Sequence, residues 1–202
     1  MIKNIIFDIG RVLIYYNWKQ FLLEEFGDQK TADTLYDAFF GHGLWNEMDR
    51  GVLTEDELTA AFARYAPGYE EQIRSFTRSF AVRFRQHPYA KPWIRSLRSE
   101  GFGVYYLSNY CQQAVDANPE VLDFTDLMDG GVFSYLVRLI KPDPAIYRLI
   151  CERYSLEPEE CVFIDDKQVN VDAARAFGMQ AFVFTGYEDA SKRLESLVRD
   201  RV

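Results

Sequence analysis

Residues 2–13 read IKNIIFDIGRVL, and this stretch sets the expected fold. Residues 2–7 are mainly apolar and rich in isoleucine, and Gly10 follows shortly after them. Such a run is typical of a strand that is buried on both faces of a parallel sheet. Asp8 comes directly after the run, and open α/β sheets bind their ligands outside the carboxyl ends of their strands. We therefore expect Asp8 at the functional edge of a parallel sheet.

Predicted strands and helices alternate after Pro88. Strands are predicted over residues 102–107, 131–137, 161–164 and 181–184. Helices are predicted over residues 92–100, 110–118, 144–154, 169–177 and 191–199. Alternation of this kind implies parallel strands joined by right-handed crossovers. The predicted fold class is therefore α/β with a parallel sheet.

Between Trp18 and about Phe84 the apolar residues recur at helical spacing instead. Gly27 fits a helix C-terminus, and Thr54 with Glu57 fits a capping box that opens a helix. We predict a helical insert over residues 16–87, within a core made of residues 1–15 and 88–202. We interpret the aromatic residues of the insert mainly as its interior, with one or two near residues 45–48 facing the cleft: Trp18, Phe39, Phe40, Trp45, Tyr65 and Tyr69.

The composition excludes several classes of function. The chain has 202 residues, and its formal net charge of −8 disfavours nucleic acid and membranes as partners. The cysteines are widely spaced, and the two histidines have no ligand partner at useful spacing, which argues against disulfides and zinc. The first apolar run is short and interrupted by Asp8, and no run approaches a membrane span, so we expect a cytoplasmic protein.

Polar side chains follow three of the predicted strands: Asp8, Ser108–Asn109 and Asp165–Asp166. Lys141 precedes a helix between the last two of these positions. Because the carboxyl ends of parallel strands lie at one edge of a sheet, we expect all four clusters to converge. Each cluster alone has an ordinary explanation as a helix cap, a turn or a solvated loop. The adjacent carboxylates of Asp165 and Asp166 are harder to explain without a positive partner.

The chemistry of the clusters is mutually consistent. Three carboxylates favour a hard divalent cation, and Mg²⁺ prefers oxygen ligands. Lys141 supplies a compact positive charge that suits a phosphate. An aspartate can attack phosphorus and form an aspartyl-phosphate, which divides one difficult displacement into two steps. The set therefore indicates phosphoryl transfer.

Four motifs resemble those of the haloacid dehalogenase-like superfamily, in the same order: FDIGRVL (7–13), LSN (107–109), KPDPAIY (141–147) and FIDDKQVNVDAARAFGM (163–179). The resemblance implies a Rossmann-like core with a helical cap inserted after the first motif. It is strongest to the phosphatase branch with a small cap, which includes sugar-phosphate phosphatases.

The resemblance also implies roles for the motif residues. Asp8 would be the nucleophile, and Lys141 would bridge it to the phosphate. Ser108 and Asn109 would bind the transferring phosphoryl group.

Further positions would bind the metal. Asp166 would be the main metal carboxylate, Asp165 would support it, and Asp8 and the Gly10 carbonyl would complete the protein's ligands to Mg²⁺.

Gly10 departs from the usual family pattern. Most phosphatases of the family have an aspartate at this position, which protonates the leaving oxygen and then activates water. Related phosphatases with a glycine there exist. A cap residue could transfer the proton instead, and the candidates are Tyr16, His42 and Asp49. A water molecule ordered by the metal could also do so. Otherwise the chain is a weak enzyme or a binding protein.

The sequence thus predicts a Mg²⁺-dependent phosphomonoesterase that hydrolyses a small phosphorylated metabolite, with a sugar phosphate as the expected substrate. One alternative is a metal-independent 2-haloacid dehalogenase, which also uses an aspartate nucleophile. Another is a weakly active or non-catalytic binding protein on the same fold. The exact substrate and the oligomeric state stay open.

Overall fold

A five-stranded parallel sheet forms the centre of the structure, a computed structural model that describes residues 1–198. The strands within this part of the chain are β1 (Asn4–Phe7), β2 (Ile14–Tyr15), β3 (Arg85–Gln86), β4 (Gly103–Ser108), β5 (Gly130–Phe133), β6 (Cys161–Asp165) and β7 (Gln180–Val183). The sheet has the order β5-β4-β1-β6-β7, and every neighbouring pair is parallel. This confirms the predicted α/β fold class.

Helices cover the sheet and form the insert. The insert contains α1 (Trp18–Phe26), α2 (Gln29–Phe40), α3 (Trp45–Arg50), α4 (Glu55–Ala63) and α5 (Glu70–Ser79). The remaining helices are α6 (Ala90–Ser99), α7 (Gln112–Ala117), α8 (Ser134–Val137), α9 (Pro144–Tyr154), α10 (Gln168–Phe177) and α11 (Tyr187–Val198). Three 3₁₀ segments occupy Phe80–Arg83, Pro119–Leu127 and Pro158–Glu160.

Strand β1 lies at the middle of the sheet because its side chains can be buried on both faces. Ile5, Ile6 and Phe7 are completely buried, as is all of β6 beside it. The chain crosses to β4 and β5 on one side of β1 and then to β6 and β7 on the other. Ligands in open α/β sheets bind at such a reversal of strand order, at the carboxyl ends of the strands.

Local sequence signals explain the insert. Gly27 ends α1 in the left-handed conformation with φ 67°, as expected for a helix C-terminus. Thr54 and Glu57 form the predicted capping box at the start of α4. The two-residue strands β2 and β3 pair antiparallel where the chain enters and leaves the helices. This ladder was not predicted, because two residues give no readable periodicity.

The prediction of a strand over residues 131–137 is wrong in its second half. Strand β5 ends at Phe133, and the chain turns into α8. The Ser134 hydroxyl accepts a hydrogen bond from Tyr110 N at 2.9 Å and donates one to the carbonyl oxygen of Asp49. These long-range contacts take the place of strand pairing after Phe133. They outweigh the strand preference that the apolar residues Tyr135 and Leu136 suggested.

The last helix begins earlier than predicted, at Tyr187 rather than at residue 191. Glu188 and Asp189 lie in its first turn, where negative charge stabilises a helix start. Arg199, which was predicted to end this helix, lies outside the described residues. All three cysteines are buried and free of disulfides. Among residues 1–198, no helix is long and apolar enough to cross a membrane.

Candidate active site

The Asp8 carboxylate lies at the carboxyl end of β1, in the middle of the sheet. Its backbone N–H extends the pairing with β6 by donating to Ile164 O at 2.8 Å. One carboxylate oxygen, Oδ1, is contacted by Ile9 N at 2.8 Å, Ser108 Oγ at 2.9 Å and Lys141 Nζ at 2.9 Å. No hydrogen bond or ion pair reaches the other oxygen, Oδ2, from any residue between 1 and 198. One oxygen is therefore fixed and the other is available.

Lys141 is a buried cation with three oxygen partners. Its Nζ lies 2.9 Å from Asp8 Oδ1, 2.6 Å from Asp165 Oδ2 and 2.7 Å from Leu107 O. Burial alone would lower the pKa of Lys141, but the two carboxylates raise it well above its usual value. The lysine therefore stays charged. The Asn109 amide fixes its backbone by donating to Lys141 O at 3.0 Å and accepting from Lys141 N at 2.8 Å.

Asp165 is fully buried and held by several donors. Besides Lys141, it accepts hydrogen bonds from Lys167 N at 2.8 Å and from Asn170 Nδ2 at 3.0 Å to both oxygens. Asp166 is more open, and its nearest cation is Arg11, with Nη1 at 3.7 Å from Oδ2. Burial, together with the charge of Asp165, raises the pKa of Asp166.

The three aspartates form one acidic cluster. Asp8, Asp165 and Asp166 each offer an oxygen, and these atoms lie within 4.8 Å of one another. Burial raises the pKa of Asp8 to about 6, with Lys141 opposing and the other two carboxylates adding to the increase. Within residues 1–198 the cluster is contacted by one buried cation, Lys141, while Arg11 beside Asp166 is largely exposed to solvent, so the three carboxylates are only partly balanced. A hard divalent cation fits this set, because it binds carboxylate oxygens and removes their mutual repulsion. Gly10 lines the same cavity.

The cavity above Asp8 is walled by the insert. Its volume is about 110 Å³. Its floor holds most of the predicted site residues: Asp8, Gly10, Asn109, Lys141 and Asp166. Lys167 and Asn170, which follow the last motif's carboxylates, also line it. Ser108 and Asp165 lie behind this surface, in contact with Asp8 and Lys141. Its wall on the insert side is aromatic: Tyr16, Trp18, Phe40, Trp45, Phe80 and Phe84. The interpretation of Trp18 and Phe40 as interior residues is therefore wrong, since both are only partly buried and line the cavity. It is also wrong for Tyr65, which is exposed. Trp45 lines the cavity and lies in the range 45–48, where one or two residues were expected to face the cleft.

Tyr16 occupies the space beside Gly10. A Cβ placed on Gly10 would lie 2.9 Å from the Tyr16 hydroxyl oxygen, closer than side chains tolerate. The Tyr16 ring stacks on Phe84 with centroids 5.0 Å apart and packs against Trp18 at 4.7 Å. Burial and the nearby carboxylates raise the pKa of Tyr16 well above its usual value, so its phenol stays protonated.

Asp49 is a second acidic group in the cavity, contributed by α3 of the insert. Its side chain is buried, and the Ser134 hydroxyl binds its carbonyl oxygen. Burial raises the pKa of the Asp49 carboxyl to about 7, while Lys167 acts to lower it and Asp8 to raise it. A carboxyl group with such a pKa exchanges its proton near neutral pH.

His42 lies away from these groups. Its ring stacks on Tyr65 with centroids 3.7 Å apart, and its Nε2 lies 3.0 Å from Asp37 Oδ2. It is not among the residues that line the cavity. Of the three candidates for proton transfer, Tyr16 and Asp49 therefore reach the site, and His42 does not.

The sequence did not single out Asn170 and Ser134. Asn170 is a buried polar residue on the apolar face of α10, next to Val171 and Ala174. A polar residue at an apolar position of a helix was the signal that could have identified it. Ser134 gave no signal, because its partners Asp49 and Tyr110 are distant in sequence.

The chain belongs to the haloacid dehalogenase-like hydrolases, whose family profile matches residues 2–178. It is similar to a D-ribitol-5-phosphate phosphatase of Bacteroides thetaiotaomicron, with 26% identity over 195 residues that cover 90% of this chain and 91% of that protein. It is equally similar to a sesquiterpene phosphatase of Aspergillus oryzae, with 26% identity over 199 residues that cover 97% and 96%. Two other relatives are longer proteins, and the chain spans 37% and 19% of their lengths.

The fold is also found in solved structures. One is a family enzyme of Bacteroides thetaiotaomicron in complex with magnesium and inorganic phosphate. The TM-score is 0.73 at 23% identity, and the match covers 96% of this chain and 99% of that one. At this identity the likeness shows the fold.

Proposed function

We propose that the chain is a Mg²⁺-dependent phosphomonoesterase that hydrolyses a small phosphorylated metabolite through an aspartyl-phosphate on Asp8. The observation that carries this proposal is the asymmetric environment of the Asp8 carboxylate. Three donors hold Oδ1, while Oδ2 accepts none within residues 1–198. Attack on phosphorus needs one oriented and otherwise free oxygen, and Oδ2 meets that need.

The residues around Asp8 would bind and orient the phosphate. Lys141 stays charged and is fixed next to the nucleophile, so it attracts the phosphate and opposes the charge that develops on its oxygens. Ser108 Oγ lies within hydrogen-bond distance of Asp8, where it can turn to a phosphate oxygen. Asn109 borders the same space, and its amide already holds the Lys141 backbone.

The metal would be held by Asp8, Asp166 and the Gly10 carbonyl, and Asp165 would support it directly or through water. When bound, Mg²⁺ would supply positive charge to the phosphoryl oxygens. The clustering of three carboxylate oxygens within 4.8 Å supports this assignment. The related structure with magnesium and inorganic phosphate supports it as well. Asp165, with both oxygens already hydrogen-bonded, mainly orients Lys141 and supports Asp166.

The proton for the leaving oxygen would come from Asp49. This residue faces the cavity from the insert, and of the lining residues it is the carboxyl group outside the three-aspartate cluster. Tyr16 fills the place of the usual family aspartate, but a phenol that holds its proton so firmly is poorly suited to take one back from water.

The alternatives are less consistent with the site. A haloacid is an anion, and without a divalent cation the three clustered carboxylates are only partly balanced by Lys141 and would repel it. A binding protein has no need for a free oriented carboxylate oxygen. A sugar phosphate as substrate and a cytoplasmic location stay predictions from the sequence.

The test is release of phosphate from p-nitrophenyl phosphate and a panel of small phosphomonoesters, with Mg²⁺ and with a chelator. We expect activity that the chelator abolishes and that Asp8→Asn eliminates. Asp172→Asn, an exposed carboxylate of α10, is the matched control and should retain full activity. No turnover by the wild type would contradict the proposal. Chloride release from 2-chloropropionate without metal would establish the dehalogenase instead.

A further inference from the structure

We propose that the leaving group of the substrate is a small, flat and carbon-rich alcohol, aromatic or unsaturated, rather than a sugar. This inference rests on the proposed phosphomonoesterase function and specifies its substrate class. It comes from the side of the cavity that faces away from Asp8.

That side is formed by aromatic rings from separate segments of the insert. Trp18 begins α1, Phe40 ends α2 and Trp45 begins α3. Phe80 and Phe84 come from the segment that leads out of the insert. Four separate segments thus converge to make one apolar wall, which indicates a binding surface for an apolar group.

The rings support one another and are held in place. The centroids of Trp18, Phe40 and Trp45 are 4.7–5.2 Å apart, so the three rings form a closed triangle. Their outer faces pack on Phe39 and Phe80. A ligand would therefore meet a preformed surface, and flat rings favour offset or edge-on contact with another flat group.

These three rings are only partly buried, unlike the true interior of the insert. Phe39, Phe62 and Phe76 are completely buried, with no exposed side-chain surface. Trp18, Phe40 and Trp45 leave part of their surface open at the cavity. An apolar ligand would cover this surface and remove it from water, which is favourable.

Polar groups that could bind the several hydroxyls of a sugar are few in the cavity. The Asn109 amide is paired with the Lys141 backbone, and the Asn170 amide is paired with Asp165. The Tyr110 hydroxyl is buried without a hydrogen-bond partner in the described part of the chain and could bind one hydroxyl. On the insert side, the polar groups of the lining within residues 1–198 are Tyr16, Asp49 and the indole N–H groups of the two tryptophans. A sugar has several hydroxyls, and those left without partners in an apolar cavity would lose their hydrogen bonds to water.

The size of the cavity limits the leaving group. At roughly 10–15 Å³ per water-sized group, 110 Å³ holds about 7–11 such groups, so the space left beside a phosphate is at most about one ring or a short chain. A single aromatic ring or a short alkenyl chain fits this space.

The experiment compares phosphate esters that differ only in the leaving group. Benzyl phosphate, cyclohexylmethyl phosphate and glucose 6-phosphate are all phosphate esters of primary alcohols, so their intrinsic reactivity is similar. Glucose 6-phosphate differs from cyclohexylmethyl phosphate mainly in its ring oxygen and four additional hydroxyl groups. We expect kcat/KM for benzyl phosphate to exceed that for glucose 6-phosphate by about 100-fold or more. The value for cyclohexylmethyl phosphate should lie between them. An alkenyl phosphate tests whether an unsaturated chain replaces the ring.

Variants locate the effect. Phe40→Leu and Trp45→Leu should raise the KM for benzyl phosphate by a larger factor than the KM for glucose 6-phosphate. Tyr65→Leu is the control, because Tyr65 is an exposed aromatic residue of the insert outside the cavity. Thermal midpoints show which variants are folded. If the variants are not folded, the comparison of the three esters with the wild-type protein tests the inference.

The outcomes separate this inference from the proposed function. Equal or better turnover of glucose 6-phosphate would overturn the inference and leave the phosphatase function intact. No turnover of any ester would overturn the proposed function, and calorimetry would then decide the inference. Benzylphosphonate that binds at least about tenfold more tightly than inorganic phosphate would support it. Equal binding of the two would overturn it.

Discussion

The Tyr16 hydroxyl oxygen lies 2.9 Å from the point where a Cβ on Gly10 would stand. The ring that carries this hydroxyl is held between Trp18 and Phe84 and cannot easily withdraw. Tyr16 therefore occupies the space that the usual family aspartate at position 10 would need. The position of Tyr16 is compatible with a glycine at position 10 and not with a larger residue.

Restoring the aspartate should fail unless Tyr16 is also changed. We expect Gly10→Asp alone to lower both kcat/KM and the thermal midpoint, because the new side chain meets the Tyr16 ring. The double variant Gly10→Asp with Tyr16→Ala should be as stable as Tyr16→Ala, because the new side chain then has space. With Asp49→Asn added to both proteins, the one that carries Gly10→Asp should have a kcat about 10²-fold higher, since it regains an acid near the leaving oxygen. Steady-state kinetics and thermal unfolding of these proteins check this. An increase in kcat for Gly10→Asp alone, at unchanged stability, would show that Tyr16 gives way readily.

Asp49 should matter most for substrates with poor leaving groups. Asp49→Asn should lower kcat for alkyl phosphates by about 10²-fold or more and affect p-nitrophenyl phosphate little, because nitrophenolate leaves without a proton. The pKa of Asp49 is near 7, so the donor form is lost as pH rises through that value, and kcat for alkyl esters should fall there. This alkaline fall should be absent in Asp49→Asn. An equal loss for both kinds of ester would remove Asp49 from the role of proton donor.

The same carboxyl group makes stability depend on pH. A carboxyl whose pKa is raised by folding binds its proton more tightly in the native state than in the unfolded chain. The free energy of unfolding should therefore decrease as pH rises from about 4 toward the native value near 7. Urea unfolding of the wild type and of Asp49→Asn across this range measures the effect. We expect a smaller decrease in the variant, and parallel curves would contradict the raised pKa.

Magnesium should stabilise the fold as well as support activity. A cation that binds the cluster of Asp8, Asp165 and Asp166 in the native state alone stabilises it by about 2.7 kcal/mol at a hundredfold excess over Kd. For a chain of this size that corresponds to roughly 5–10 °C in thermal midpoint. Asp166→Asn should reduce the shift, and Asp172→Asn should not. A midpoint that Mg²⁺ and chelator leave unchanged would contradict a metal site here.

Lys141 should be essential for folding as well as for chemistry. Lys141→Met removes the cation that lies within 3 Å of both Asp8 and Asp165, and it leaves those buried carboxylates without their partner. Loss of one partner from a buried ion pair typically costs about 3–5 kcal/mol. Urea unfolding should show a loss of this order, and Lys192→Met on α11 is the matched surface control. A variant as stable as the control would mean that the carboxylates are balanced in another way.

Much of the core could be predicted from local sequence. The apolar run before Asp8, the helix with Asp143 at its start and the capping box at Thr54 each depend on residues close together in the chain. The convergence of Asp8, Lys141 and the Asp165–Asp166 pair could also be expected, because parallel strands bring their carboxyl ends to one edge.

Features that depend on packing between distant segments could not be predicted. The turn into α8 follows from the contacts of Ser134 with Tyr110 and Asp49, which are 24 and 85 residues away. Most of the aromatic wall of the cavity was missed for a similar reason, although one or two residues near 45–48 were expected to face the cleft. A partly exposed Trp18 and a fully buried Phe39 both fit helical spacing, and only the orientation of the insert over the sheet distinguishes them.

The most direct test of the central claim is to trap the phosphorylated enzyme. Wild-type protein would be mixed with Mg²⁺ and excess p-nitrophenyl phosphate, quenched in acid within the first turnover, digested and mapped by mass spectrometry. We predict a phosphoryl group on the peptide that contains Asp8, and none in Asp8→Asn. Phosphate release by the wild type without any such adduct, or an adduct on another residue, would contradict the account.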